Sequence, residues 1–86
     1  SLKIQKRLGK KIETAEGLMF LAEDLEVSGN YDKSIEIFEE ASELFKELGK
    51  LIKIKDITKE ISRLREFSKT MIEEEYLLNM YHVDKY

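Results

Sequence analysis

Ser28-Gly29-Asn30-Tyr31-Asp32, preceded by Leu18, Leu21 and Ala22 and followed by Ser34, Phe38 and Ala41, decides the fold of this 86-residue chain. Gly29 suits the left-handed residue that closes a helix. Asn30 is a good N-cap for the helix that follows. The small side chains on either side let two helices approach closely. The stretch therefore predicts a tight helical hairpin.

Upstream, Ile4, Leu8, Ile12, Ala15, Met19, Ala22 and Leu25 recur every three or four residues, the apolar stripe of an amphipathic helix over about 3–27. Gly9 and Gly17 interrupt it, each at a cost of roughly 1 kcal/mol relative to alanine. Gly9 is read as a fraying point and Gly17 as a place where another helix comes close. Downstream, a second helix is expected over 31–48, with Tyr31, Ser34, Phe38, Ala41 and Phe45 on one face. Ile37, Leu44 and Leu48 lie on an adjoining face, so this helix has two neighbours. Gly49 is its stop. Residues 50–55 read as a connection or an early turn, and Asp56 as the N-cap of a third helix over 56–80. Ile57, Ile61, Leu64, Ser68 and Met71 keep the spacing of a packed helix.

Composition agrees with a helical domain. Hydrophobic residues make up 42% and charged residues 38%, with four glycines and no proline. Enough large apolar side chains are present to argue against disorder. The length predicts one domain, 1–86, with a modest core. No cysteine is present, which excludes disulfides, thiol catalysis and thiolate zinc sites. The longest apolar run, Leu18 to Ala22, falls far short of the ~20 residues of a membrane span. The basic start lacks the apolar core of a signal peptide, and a cytoplasmic protein is expected. Ser1 in place of Met reads as an excised domain or a tag remnant.

The net charge is −3, but it alternates along the chain. Residues 1–22 are basic, 23–47 acidic and 50–70 basic, and Glu73-Glu74-Glu75 form a last acidic patch. A middle helix of opposite sign to its neighbours biases the three toward antiparallel packing, although each exposed pair adds only ~0–1 kcal/mol.

Residues 15–48 resemble one tetratricopeptide repeat, through Leu18, Leu21-Ala22, Gly29, Tyr31, Phe38 and Ala41. Ser34 stands where alanine is usual. A repeat array needs about three units, and residues 50–86 lack the glycine, tyrosine and alanine positions of a second. One such hairpin plus one long helix instead resembles an MIT domain, a module attached to AAA ATPases and other partners of the ESCRT system. That resemblance covers about residues 12–72. Leu25, the short connection to the third helix, Arg65 and Lys69 depart from the family pattern. The resemblance implies an all-α antiparallel three-helix bundle with a tetratricopeptide-like hairpin. It also implies capture of short helical tails of ESCRT-type filament subunits in an inter-helix groove, with protein transport as the setting.

On a helical wheel, Lys33, Ile37, Glu40, Leu44 and Glu47 are expected beside the third helix, with Arg65, Glu66 and Phe67 flanking the same cleft. Apolar anchors of a ligand helix would rest on Ile37, Leu44 and Phe67, and its basic residues over Glu40 and Glu47. The competing reading is that Ile37 and Leu44 are buried and the acids form a solvated face.

Other chemistries find little support. Glu36, Glu39, Glu40 and Glu43 have helical spacing, but a bundle metal site wants a Glu-x-x-His pair, and Asn79 stands three residues before the single His82. Neither a metal nor a cofactor is expected. The serines have no evident histidine partner and there is no phosphate-binding loop, so no enzyme is expected and no catalytic residue is assigned. Overall acidity argues against nucleic acid, and the basic start carries too little apolar mass to insert into a membrane. Tyr76, Leu77, Leu78, Met80 and Tyr81 make an apolar tip. It is expected to pack on Leu2, Ile4 and Leu8, or, if the third helix overshoots the hairpin, to pair with a second copy. A homo-oligomerising helical domain is thus the alternative to a peptide binder.

Overall fold

Two glycines set the chain reversals. Gly29 and Gly49 are the residues with positive φ, 85° and 68°. In each turn the glycine N–H donates three residues back, Gly29 to Glu26 O and Gly49 to Lys46 O. The next N–H donates five back, Asn30 to Leu25 O and Lys50 to Phe45 O. This paired pattern satisfies helix-end carbonyls and reverses the chain within three residues.

The computed structural model describes residues 2–84, with side chains as far as Tyr81; Ser1 and the side chain of His82 lie outside the described residues. It contains α1 (Leu2–Val27), α2 (Tyr31–Glu47) and α3 (Leu51–Asp84). The protein is an all-α antiparallel three-helix bundle. α2 is the middle helix. Lys11 pairs with Glu47 and Ser34 with Ala22, so α1 and α2 run antiparallel. Tyr31 meets Phe67 and Glu39 meets Arg65, so α3 runs antiparallel to α2 and parallel to α1. α1 and α3 each pack on α2 and make no close backbone approach to one another.

The core is small and sits along α2. Ala15 and Ala22 of α1, Ile37, Phe38, Ala41 and Phe45 of α2, and Ile57 and Leu64 of α3 are buried in one cluster. Ser34 is fully buried, and its hydroxyl donates to the Ala22 carbonyl of α1 at 2.6 Å. The buried hydroxyl is tolerated because it finds this acceptor.

Four expectations change. The third helix begins at Leu51, five residues ahead of Asp56, so residues 51–55 form its early turns rather than a connection; the Gly49 turn relaunches a helix at once, and Ile54 N–H already donates to Lys50 O. Asp56 is interior to α3, and Ile54 joins the residues packed against the core. Asn30 occupies the N-cap position, but its side chain makes no cap hydrogen bond. Its carbonyl accepts from Ser34 N–H instead. Gly17 is not a point of close approach, since a Cβ built there meets nothing within 4 Å.

The fourth change concerns the apolar tip. Parallel α1 and α3 place the start of α1 and the end of α3 at opposite ends of the molecule. Residues 76–81 therefore cannot pack on Leu2, Ile4 and Leu8, and all of these stay exposed. The molecule is a rod of 71 × 19 × 13 Å with a radius of gyration of 17.9 Å. A compact chain of this length would have about 12 Å.

Candidate functional site

Which flank of α2 faces which neighbour decides where a groove can exist. Successive residues turn about 100° around a helix, so Tyr31, Ile35, Phe38 and Ser42 form one stripe and Ile37, Leu44 and Glu47 another. The first stripe meets α3. Tyr31 packs edge-on against Phe67, with ring centres 5.3 Å apart, and Arg65 donates to Glu39 at 3.0 Å. The second stripe leans toward α1, since Glu47 accepts from Lys11 at 3.4 Å.

The expected cleft is therefore not assembled as drawn. Ile37 is buried and Leu44 half-buried on the α1 flank. Glu47 is tied to Lys11, and Lys33 to Glu36 within α2. Glu66 is an exposed residue of α3. Phe67 is half-exposed but already has Tyr31 as its aromatic neighbour. Arg65 and Glu40 line depressions beside the α2–α3 seam. Glu40 belongs to a shallow depression near Ile61, with Glu39 and Lys46. Arg65 belongs to a groove farther toward the elbow.

That groove has a volume of about 410 Å³. Asp32 and Ile35 form its α2 wall, and Arg65, Ser68, Lys69, Ile72 and Glu73 its α3 wall. It continues past Gly29 and Asn30, where Met71 and Glu75 line a smaller space of about 270 Å³. Its floor is apolar through Ile35 and Ile72, and Ile72 is 65% exposed. Its rim is mixed, with Arg65 and Lys69 near the middle and Asp32 and Glu73 nearer the elbow. Ile35 and Ile72 were not picked out from the sequence. The available signal was the 31-35-38-42 spacing, which marks a second packed stripe as plainly as 37-44-48 does.

Arg63 ties the outer helices together on the opposite side of this seam. Its guanidinium donates to Glu60 at 2.7 Å within α3 and also to Glu26 near the end of α1. The hydrogen bond to Glu60, then that to Glu26, holds the guanidinium's pKa above its ordinary value. Arg63 is therefore a permanent cation at any working pH, a strut between α1 and α3.

Among the described residues, no histidines, cysteines or carboxylates gather as a metal site, and no helix is long and apolar enough to cross a membrane. Glu36, Glu39 and Glu43 of the acidic face are engaged by Lys33, Arg65 and Lys46. No protein family, curated protein or solved structure matches the chain.

Proposed function

We propose that this domain is a protein–protein interaction module that receives an amphipathic helix of another protein along the groove between α2 and α3. The observation that carries the reading is the apolar floor of half-buried Ile35 and exposed Ile72 beneath a charged rim. A helix laid in such a groove buries its apolar anchors on the floor and matches charges at the edge. Acidic residues of the ligand would sit over Arg65 and Lys69. The resemblance to MIT domains supports the tail of an ESCRT-type filament subunit as that ligand. It also supports recruitment of a larger cytoplasmic protein, such as an AAA ATPase, as the purpose. The proposed role uses no catalysis, metal or cofactor.

Fluorescence anisotropy with a labelled tail peptide tests it. Saturable binding by the natural chain, weakened at least tenfold by Ile72→Asp with helical circular dichroism retained, is the expected result. Absence of binding, or equal binding by both chains, would reject the groove. The competing reading, a domain that associates with itself, is favoured by the uncovered end of α3.

A further inference from the structure

The two ends of the rod differ in a way that the groove does not explain. At one end, α1 runs on from Lys11, which is level with Glu47, through about nine further residues, or roughly 13 Å. This overhang carries Lys3, Lys6, Arg7 and Lys10 with exposed Ile4 and Leu8. Beside it lies the α2–α3 turn, where Lys50, Leu51, Ile52 and Lys53 line an open cleft of about 590 Å³. That end is basic and apolar.

At the other end, Glu75 is the last α3 residue beside the Gly29 elbow. α3 then runs on to Asp84, again about nine residues or roughly 13 Å. Glu73, Glu74 and Glu75 stand at its root, and Tyr76, Leu77, Leu78 and Met80 follow. Spaced at 100° steps, those four spread over about 200° of the helix circumference, and each is at least 48% exposed. An apolar face that broad is normally covered. This end is acidic and apolar, and Glu23, Asp24 and Asp32 near the elbow add to the negative charge.

We infer that copies of this chain associate head to tail, the basic overhang of α1 in one copy lying along the apolar overhang of α3 in the next and reaching its acidic root. The occupant is a second copy because the basic overhang of α1 meets an acidic root of opposite charge at Glu73, Glu74 and Glu75, and both overhangs carry exposed apolar side chains. They also point the right way. α1 and α3 are parallel, so a shift along the rod axis alone lays the start of one beside the end of the other. A two-fold contact between α3 ends is disfavoured, because it leaves Glu73, Glu74 and Glu75 without the basic residues of the α1 start as partners. A contact made by translation does not close, so it produces strings rather than a dimer. This inference is independent of the α2–α3 groove.

Sedimentation of the 86-residue chain at rising concentration and low salt tests it. The average mass climbs from 10.1 kDa past twice that value without a plateau, and falls back in high salt. Two charge-reversed chains, Glu73→Lys/Glu74→Lys/Glu75→Lys and Lys3→Glu/Lys6→Glu/Arg7→Glu, each stay near the monomer mass, and an equimolar mixture regains association beyond the dimer. All six side chains are exposed, and circular dichroism verifies that both variants fold. A natural chain that stays at 10.1 kDa throughout overturns the inference. A natural chain that stops at the dimer overturns it in favour of the two-fold contact, and a mixture that fails to associate overturns it as well.

Discussion

Glycine has opposite meanings at different positions of this chain. At Gly29 the backbone needs φ of 85°, which costs an L-residue roughly 1–2 kcal/mol. At Gly17 the backbone is ordinary helix and a methyl group would meet open space. Gly17→Ala is therefore expected to stabilise the protein by about 0.5–1 kcal/mol, and Gly29→Ala to destabilise it by at least about 1 kcal/mol. Urea unfolding followed by circular dichroism reads both. Stabilisation by Gly29→Ala, or loss by Gly17→Ala, would contradict the assigned geometry. Asn30 offers a third residue-scale test. Its side chain caps nothing, so Asn30→Ala should cost under about 0.5 kcal/mol, less than the ~1 kcal/mol typical of a working cap.

At the scale of the helices, α3 divides into a docked part and a free part. Leu64 is fully buried against α2, and Leu64→Ala should cost about 2–5 kcal/mol by leaving a cavity. Truncation after Glu75 should change stability by less than about 0.5 kcal/mol, because the described side chains beyond it are exposed. The same truncation should abolish association in the sedimentation assay. Thermal melting of the two variants side by side compares them; equal destabilisation would mean that the tip is packed.

The sequence made the hairpin readable for a physical reason. Two glycines at helix stops and a run of Ala and Ser on the facing stripes are local signals, and the structure uses all of them. The start of α3 was less readable, because Asp56 looks like a cap while a glycine turn can restart a helix without one. The flank assignment was beyond the pattern altogether. Periodicity says that α2 has two packed stripes, but not which neighbour takes which. The Tyr31–Phe67 and Lys11–Glu47 contacts settle that, and the open groove lies at Ile35 and Ile72 rather than at Ile37 and Leu44.

For the whole molecule, the defining property is polarity. An up-down-up chain with a short middle helix leaves its first helix overhanging at one end and its last at the other. Charge follows the same axis, basic at the α1 end and acidic at the elbow. Burial is thin over so long a rod, and only the middle third carries the core. Both functional proposals depend on this layout, since the groove exists because α3 occupies one flank of α2, and the complementary ends exist because α3 runs onward rather than folding back.

Spin labels at Lys6 and Leu78, diluted with unlabelled protein to isolate distances within one chain, test that layout most directly. The 71 Å length places the two labels on the order of 50 Å apart. A pulsed-resonance distribution centred there is the expected result. A distribution centred near 20 Å would mean that the end of α3 lies against the start of α1, and would contradict the account.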